Sequence, residues 1–168
     1  ASISGSLKDL DIIIRYIEEL INVNELDIKK NQTNFLPFNR MKVRLKNEIV
    51  SLGLGTIDID RFTGKFIEPS EWDNILKDKN AIILDVRNIF ETKIGNFENS
   101  INLLTKSFRE FLEKFTKLQL NKNERIAMYC TGGIRCEKAS AFLSMKGYRN
   151  IVQLKGGIIN YLQHKKER

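Results

Sequence analysis

The sequence predicts an α/β fold: a parallel sheet flanked by helices over residues 67–168, preceded by a partial α+β unit. Two observations carry the main domain. Short apolar runs at 81–86, 125–129 and 151–154 alternate with helix-patterned segments, as in strands joined by crossover helices. These runs have little polar interruption, the mark of strands buried on both faces. A third observation sets the leading unit apart. One long amphipathic helix with extended segments on either side is too little to bury both faces of a sheet by itself.

Residues 1–4 read as the end of a strand. Ser6 is a helix N-cap, with Asp9 three positions on as a capping-box partner. Leu10, Ile13, Ile14, Ile17, Leu20 and Ile21 recur at i, i+3, i+4 and i+7, which gives a helix from Leu7 to about Asn22. Leu26 and Ile28 alternate with polar neighbours in a short strand at 25–30. The chain is therefore expected to start inside a domain whose earlier strands precede it. Over 38–49, Arg40, Lys42, Arg44 and Lys46 alternate with Met41, Val43 and Leu45. At a period of two, the cations share one face of a strand. That pattern suits a strip for phosphates, and equally an edge strand guarded by lysines.

From Ile67 the strand and helix signals alternate. Pro69-Ser70-Glu71-Trp72 opens a helix running to about Lys77, with Ser70 as its N-cap. The run 81–86, broken by Asp85, is a central strand. Phe108, Phe111, Leu112 and Phe115 set out a helix over 107–115. A strand at 125–129, a helix at 137–146 closed by Gly147, a strand at 151–154 and a helix at 158–163 complete the pattern. The expected division is 1–50 for the leading unit, 51–66 for a linker and 67–168 for the main domain.

Composition narrows the chemistry. Hydrophobic residues make up 42% of the 168 and charged residues 29%, as in a globular chain. No apolar run approaches the roughly 18 residues that span a bilayer, so no membrane partner is expected. The first residues lack the basic-then-apolar pattern of a secretory signal. Two cysteines, Cys130 and Cys136, and one histidine, His164, cannot make a disulfide scaffold or a four-ligand zinc site of Cys and His alone. No metal or cofactor is evident, and a reducing, cytoplasmic compartment is expected. The net charge is +7, and residues 121–168 hold 10 basic against 3 acidic side chains. Such a field draws anions, including a nucleic-acid backbone; a solvated lysine-rich surface has the same composition.

The chemistry is expected at Cys130, which follows the strand 125–129. In open α/β sheets, ligands bind beyond the carboxyl ends of the strands. Thr131, Gly132, Gly133 and Ile134 form a short loop whose two glycines let successive N–H groups point inward. The next helix begins where the loop ends, and Arg135 adds a fixed positive charge. All these features favour a thiolate at Cys130 and then any anion attached to its sulfur. Asp85 and Arg87 end the neighbouring strand and are placed to support the loop. Cys136 falls in the first turn of the helix, either as a packed residue or as a resolving thiol.

These residues resemble a known family. Leu84-Asp85-Val86-Arg87 with Glu91, then Gly95 and Ser100-Ile101-Asn102, is similar to the first rhodanese signature. Tyr129-Cys130 through Arg135 resembles the active loop, and Leu154-Lys155-Gly156-Gly157-Ile158 the segment that closes the fold. The block Cys130 to Lys138, with Met41-Lys42-Val43-Arg44 and Glu48-Ile49-Val50, resembles the rhodanese-containing tRNA wobble-uridine hydroxylases. Asn96, where simple rhodaneses often carry His, favours the same group.

The resemblance implies a rhodanese-like main domain and a partial ferredoxin-like leading unit. It implies conversion of the wobble uridine to 5-hydroxyuridine with molecular oxygen as co-substrate, and Cys130 working through a persulfide or related sulfur species. Cys130 and Arg135 are then the expected catalytic pair, with Asp85, Arg87, Cys136 and Lys138 in support. Arg40, Lys42, Arg44 and Lys46 are the expected contacts to tRNA near its anticodon. Two alternatives remain open: a thiosulfate-type sulfurtransferase or persulfide carrier served by a sulfur donor, and a non-catalytic docking module. A phosphatase fits poorly, because its arginine would stand at the position of Cys136.

Overall fold

A computed structural model describes residues 2–26, 28–46, 48–53 and 57–166. The chain forms two compact units, divided between Lys46 and Asn47.

In the first unit the expected helix is present as α1 (Leu7–Ile21). Ser6 caps it by accepting from the Asp9 N–H at 3.2 Å, and its hydroxyl donates to the Asp9 carboxylate at 2.7 Å. The expected strands are not formed among the described residues of this unit; Ala1, Asp27 and Asn47, which fall in or at the ends of those segments, lie outside them. Nor do Arg40, Lys42, Arg44 and Lys46 form a strand face. All four are exposed, and so are the intervening Met41, Val43 and Leu45. The reason is a missing ladder: an alternating sequence sorts its side chains only when a neighbouring strand takes up its backbone N–H and C=O groups.

The second unit is a five-stranded, all-parallel sheet in the order β1-β5-β4-β2-β3. Its strands are β1 (Lys65–Ile67), β2 (Ala81–Asp85), β3 (Ile101–Asn102), β4 (Arg125–Tyr129) and β5 (Asn150–Leu154). The helices are α2 (Ile59–Phe62), α3 (Pro69–Lys77), α4 (Ile89–Thr92), α5 (Phe111–Thr116), α6 (Ile134–Met145) and α7 (Gly157–Lys166). β4 is central, and Ile126, Ala127, Met128 and Tyr129 are all fully buried. Helices cover both faces, which is why the strand reads as an unbroken apolar run.

Strand alternation divides the core in two. Ile126, Met128 and Cys130 join Leu84, Phe111, Phe115, Cys136, Ala139 and Leu143 on one face. Ala127 and Tyr129 join Trp72, Ile75, Ile83, Phe97 and Leu154 on the other. Cys130 thus continues one face of β4, while Tyr129 points the opposite way.

Several boundaries differ from the sequence expectation. Glu68, not Ser70, stands at the N-cap position of α3, without a side-chain cap, because Pro69 takes the first helical position, where its missing N–H costs nothing. The segment 107–115 begins as a 3₁₀ turn (Phe108–Glu110) before α5. α6 starts at Ile134, not Glu137, so Arg135 and Cys136 lie in its first turn.

The segment expected to be a linker, 51–66, belongs to the second unit. It carries α2 and most of β1, and Leu52 is buried in the same core cluster as Phe111 and Met128. Lys138 on α6 fastens its start, donating to the Val50 carbonyl at 2.9 Å and pairing with Glu48 at 3.2 Å. Glu48 also accepts from the Leu52 N–H at 3.0 Å.

Leu52→Ala should therefore lower unfolding free energy by about 2–5 kcal/mol, the cost of a core cavity. An exposed linker position would change it by no more than about 0.5 kcal/mol. Urea denaturation of the two proteins distinguishes these outcomes.

Candidate active site around Cys130

Cys130 directly follows β4, at the carboxyl end of the sheet, and is 1% exposed. The loop returns at once into α6, and Gly133 makes that turn with φ +98°, a left-handed conformation that L side chains rarely adopt. Its N–H donates to Cys130 Sγ at 3.1 Å. Only one of the two loop glycines is demanded by the backbone, since a Cβ at Gly132 would meet nothing within 4 Å.

The loop is closed from behind by the start of α7. The Ile158 N–H donates to the Cys130 carbonyl at 2.8 Å, and the Ile159 N–H to the Thr131 carbonyl at 3.2 Å. Gly157, with φ +68°, sits so close that a Cβ there would lie 2.5 Å from both carbonyl oxygens. Such an approach is open only to glycine.

The pKa of the Cys130 thiol is lowered to about 6. Hydrogen bonding from the Cys136 side chain contributes most; burial opposes it; the Cys136 N–H, the charge of Arg135 and the Gly133 N–H add to the lowering. Cys136 is fully buried, and burial pushes its own thiol well above the ordinary value. The two thiols are thus inequivalent: Cys130 ionises and Cys136 keeps its proton. Both are free thiols.

Arg135 is held differently from the sequence expectation. Its guanidinium is clamped on Glu91, with Nη1 to Oε2 at 2.6 Å and Nη2 to Oε1 at 2.5 Å, and it also donates to Thr131 Oγ1 at 3.0 Å. Thr131 in turn donates to Glu91 Oε1. Burial opposes ionisation of Glu91, but hydrogen bonds from Arg135, Thr131 and the Asn88 N–H outweigh it and bring the carboxyl to about 2. The sequence placed Glu91 in a signature but gave it no part in the site. Its signal was the spacing Asn88-x-x-Glu91, a capping box that opens α4 and aims the carboxylate.

Asp85 and Arg87 form a buried pair beside the loop, with Arg87 Nη2 donating to Asp85 Oδ2 at 2.7 Å and Nε to Oδ1 at 3.0 Å. Nη2 also donates to the Gly95 carbonyl at 2.7 Å. Tyr129, register partner of Asp85, donates its hydroxyl to Asp85 Oδ2 at 2.8 Å. Lys138 does not reach the loop, because Glu48 and Val50 take its ammonium group. Ile134 is exposed at the start of α6. Arg40, Lys42, Arg44 and Lys46 lie in the first unit. Among the described residues, no group of three or more His, Cys, Asp or Glu is placed to hold a metal ion, and no helix is long and apolar enough to cross a membrane.

Comparison with known proteins agrees with this geometry. A profile of the Rhodanese-like domain matches residues 68–164, and one described as a UPF0176 acylphosphatase like domain matches residues 1–49. A protein of Wolbachia sp. subsp. Brugia malayi (strain TRS), named tRNA uridine(34) hydroxylase, is 40% identical over 163 residues. The match covers 97% of this chain and 60% of that protein, so the chain spans about three fifths of its relative. The reduced Bacillus anthracis CoADR-RHD superposes with a TM-score of 0.53 at 27% identity, over 65% of this chain and 18% of that one. A rhodanese-like domain from Anabaena sp. superposes at 0.51 with 19% identity, over 58% and 73%, a likeness of fold.

Alkylation by iodoacetamide should track the Cys130 thiolate: the rate rises as pH increases through about 6, then levels off, and falls away on acidification. Cys136 should stay unmodified in the folded protein. Cys136→Ala should move the Cys130 midpoint upward, because the leading hydrogen bond to the thiolate is lost. Gly157→Ala should abolish the low midpoint or prevent folding, as seen by the same pH profile and by circular dichroism.

Proposed function

The chain belongs to the rhodanese-like family, and on that premise we propose that it is the greater part of a tRNA-modifying enzyme that hydroxylates the wobble uridine to 5-hydroxyuridine. Molecular oxygen is the co-substrate, the anticodon region of tRNA is the binding target and the cytoplasm is the compartment. The single observation that supports this most is the 40% identity, over almost the whole chain, with a protein named tRNA uridine(34) hydroxylase. Cys130 is the reactive group, and the Cys136 thiol, the amide N–H groups and Arg135 favour its thiolate. A base splayed from the anticodon loop would enter beside it, as single-stranded RNA bases do in protein pockets.

The exposed Arg40, Lys42, Arg44 and Lys46 serve in this reading as phosphate contacts on a segment that orders against the RNA. Sulfur transfer is the second reading. It is favoured by the low thiol pKa of Cys130, whose sulfur also accepts from the Gly133 N–H. A docking module is the weakest, since such a module has no need of an ionised nucleophile.

Bulk tRNA from cells lacking the gene that encodes this chain should lose 5-hydroxyuridine-derived nucleosides. Wild-type protein should restore them, and Cys130→Ala should not. Unchanged modification in the deletion strain, with no second enzyme making it, would leave sulfur transfer as the leading account. In direct binding, affinity for tRNA should fall steeply with salt. Neutralising Arg40, Lys42, Arg44 and Lys46 should make that slope shallower by about 0.7–0.9 for each phosphate that no longer meets a cation.

A further inference from the structure

We propose that Glu91 sets the donor specificity of Cys130, by cancelling the charge of Arg135 so that the cradle rejects divalent oxyanions and accepts a persulfide. The inference rests on reading Cys130 as a thiolate that receives sulfur.

Three cations on the elements around the loop are paired. Arg135 is gripped at both nitrogens by Glu91, Arg87 by Asp85, and Lys138 by Glu48. The Arg135 and Glu91 side chains are only 15% and 17% exposed, so solvent does little to separate their charges. Glu91 is also aimed in advance, because the Asn88 N–H donates to Oε2 at 3.1 Å within the α4 capping box. What remains at the loop is a negative charge on sulfur, met by the Cys136 thiol and N–H and by the Gly133 N–H. The side chains next to Glu91 and Arg135 in the chain, Phe90 and Ile134, are exposed and apolar. Arg135, the cation whose charge acts on Cys130, therefore meets an incoming anion already paired.

The two donor classes then differ sharply. With thiosulfate, the Cys130 thiolate attacks the outer sulfur, the S–S bond breaks, and sulfite leaves with the electron pair. The dianion must first approach a thiolate whose neighbouring arginine is already paired with Glu91. With a low-molecular-weight persulfide, R–S–S–H, the thiolate attacks the terminal sulfur. The S–S bond breaks, R–S⁻ leaves with the pair, and the proton stays on the transferred sulfur. That donor brings no double charge and needs no free guanidinium.

The test measures sulfur loading of Cys130 as a cyanide-labile mass increase, with thiosulfate and with cysteine persulfide as donors. Glu91→Gln keeps the shape and one acceptor but frees the Arg135 charge. It should raise the rate constant for thiosulfate by on the order of tenfold, while that for the persulfide changes little. In the wild type, the thiosulfate rate should rise between about 10 mM and about 1 M salt, as the Debye length falls from about 30 Å to about 3 Å and repulsion is screened. An unchanged donor ratio in a folded Glu91→Gln protein overturns the inference. So does a thiosulfate rate that falls with salt, and this wild-type series decides alone if the variant fails to fold. If neither donor loads sulfur while iodoacetamide still alkylates Cys130, the sulfur-accepting role itself is wrong, an outcome distinct from the other two.

Discussion

A buried carboxylate must have its charge answered, and in this molecule the answer to Asp85 ties the ends of two central strands to the segment after α4. Asp85 is fully buried at the end of β2, and Arg87, two residues on, supplies a forked pair of hydrogen bonds. Leaving either charge alone in the core costs several kcal/mol, so the two are held together. The same guanidinium reaches the Gly95 carbonyl and so holds the segment after α4. Tyr129 brings its hydroxyl to the same carboxylate from β4. One buried pair therefore fixes β2, β4 and the α4 region relative to one another, and the Cys130 loop hangs between the last two.

From that anchor the Cys130 loop is built by geometry rather than by many strong contacts. Alternation along β4 sends Tyr129 toward Asp85 and Cys130 toward α6. Gly133 turns the chain within three residues, and Gly157 lets α7 press against the loop carbonyls. The result is a thiol with little exposure whose charged form is nevertheless favoured. Burial alone would do the opposite, as Cys136 demonstrates in the first turn of α6. The difference between the two cysteines is a difference in donors, since Cys130 receives hydrogen bonds and Cys136 gives one.

The pairing of Arg135 with Glu91 alters the meaning of the family's loop arginine. An arginine in such a loop suggests an open anion clamp. Here it is internally neutralised, braced by Thr131, and acts on Cys130 over distance as part of a salt bridge. Lys138 follows the same logic at the back of α6, where its charge holds the 48–52 segment rather than a ligand. The +7 charge of the whole chain is therefore a poor guide to the field at the sulfur.

Sequence alone was enough for the fold class, for the residue ranges of β4 and β5 to within a residue, and for the place of Cys130 at the carboxyl end of β4. Continuous apolar runs and a Cys-x-x-Gly-x-Arg turn are local signals, and local signals survive folding unchanged. β3 and β1 were not legible, because two- and three-residue strands exist only by pairing with β2 and β5. The strand pattern at 38–49 failed for the converse reason: the alternation was present and a partner was not. Folding in three dimensions was needed to place Leu52 in the core, to turn Lys138 away from the loop and to give Arg135 to Glu91. Each of these joins residues far apart in the chain, with 44 positions between Glu91 and Arg135 and 88 between Val50 and Lys138. Charges carried on separate helices choose their partners by distance in space, which no spacing along the chain encodes.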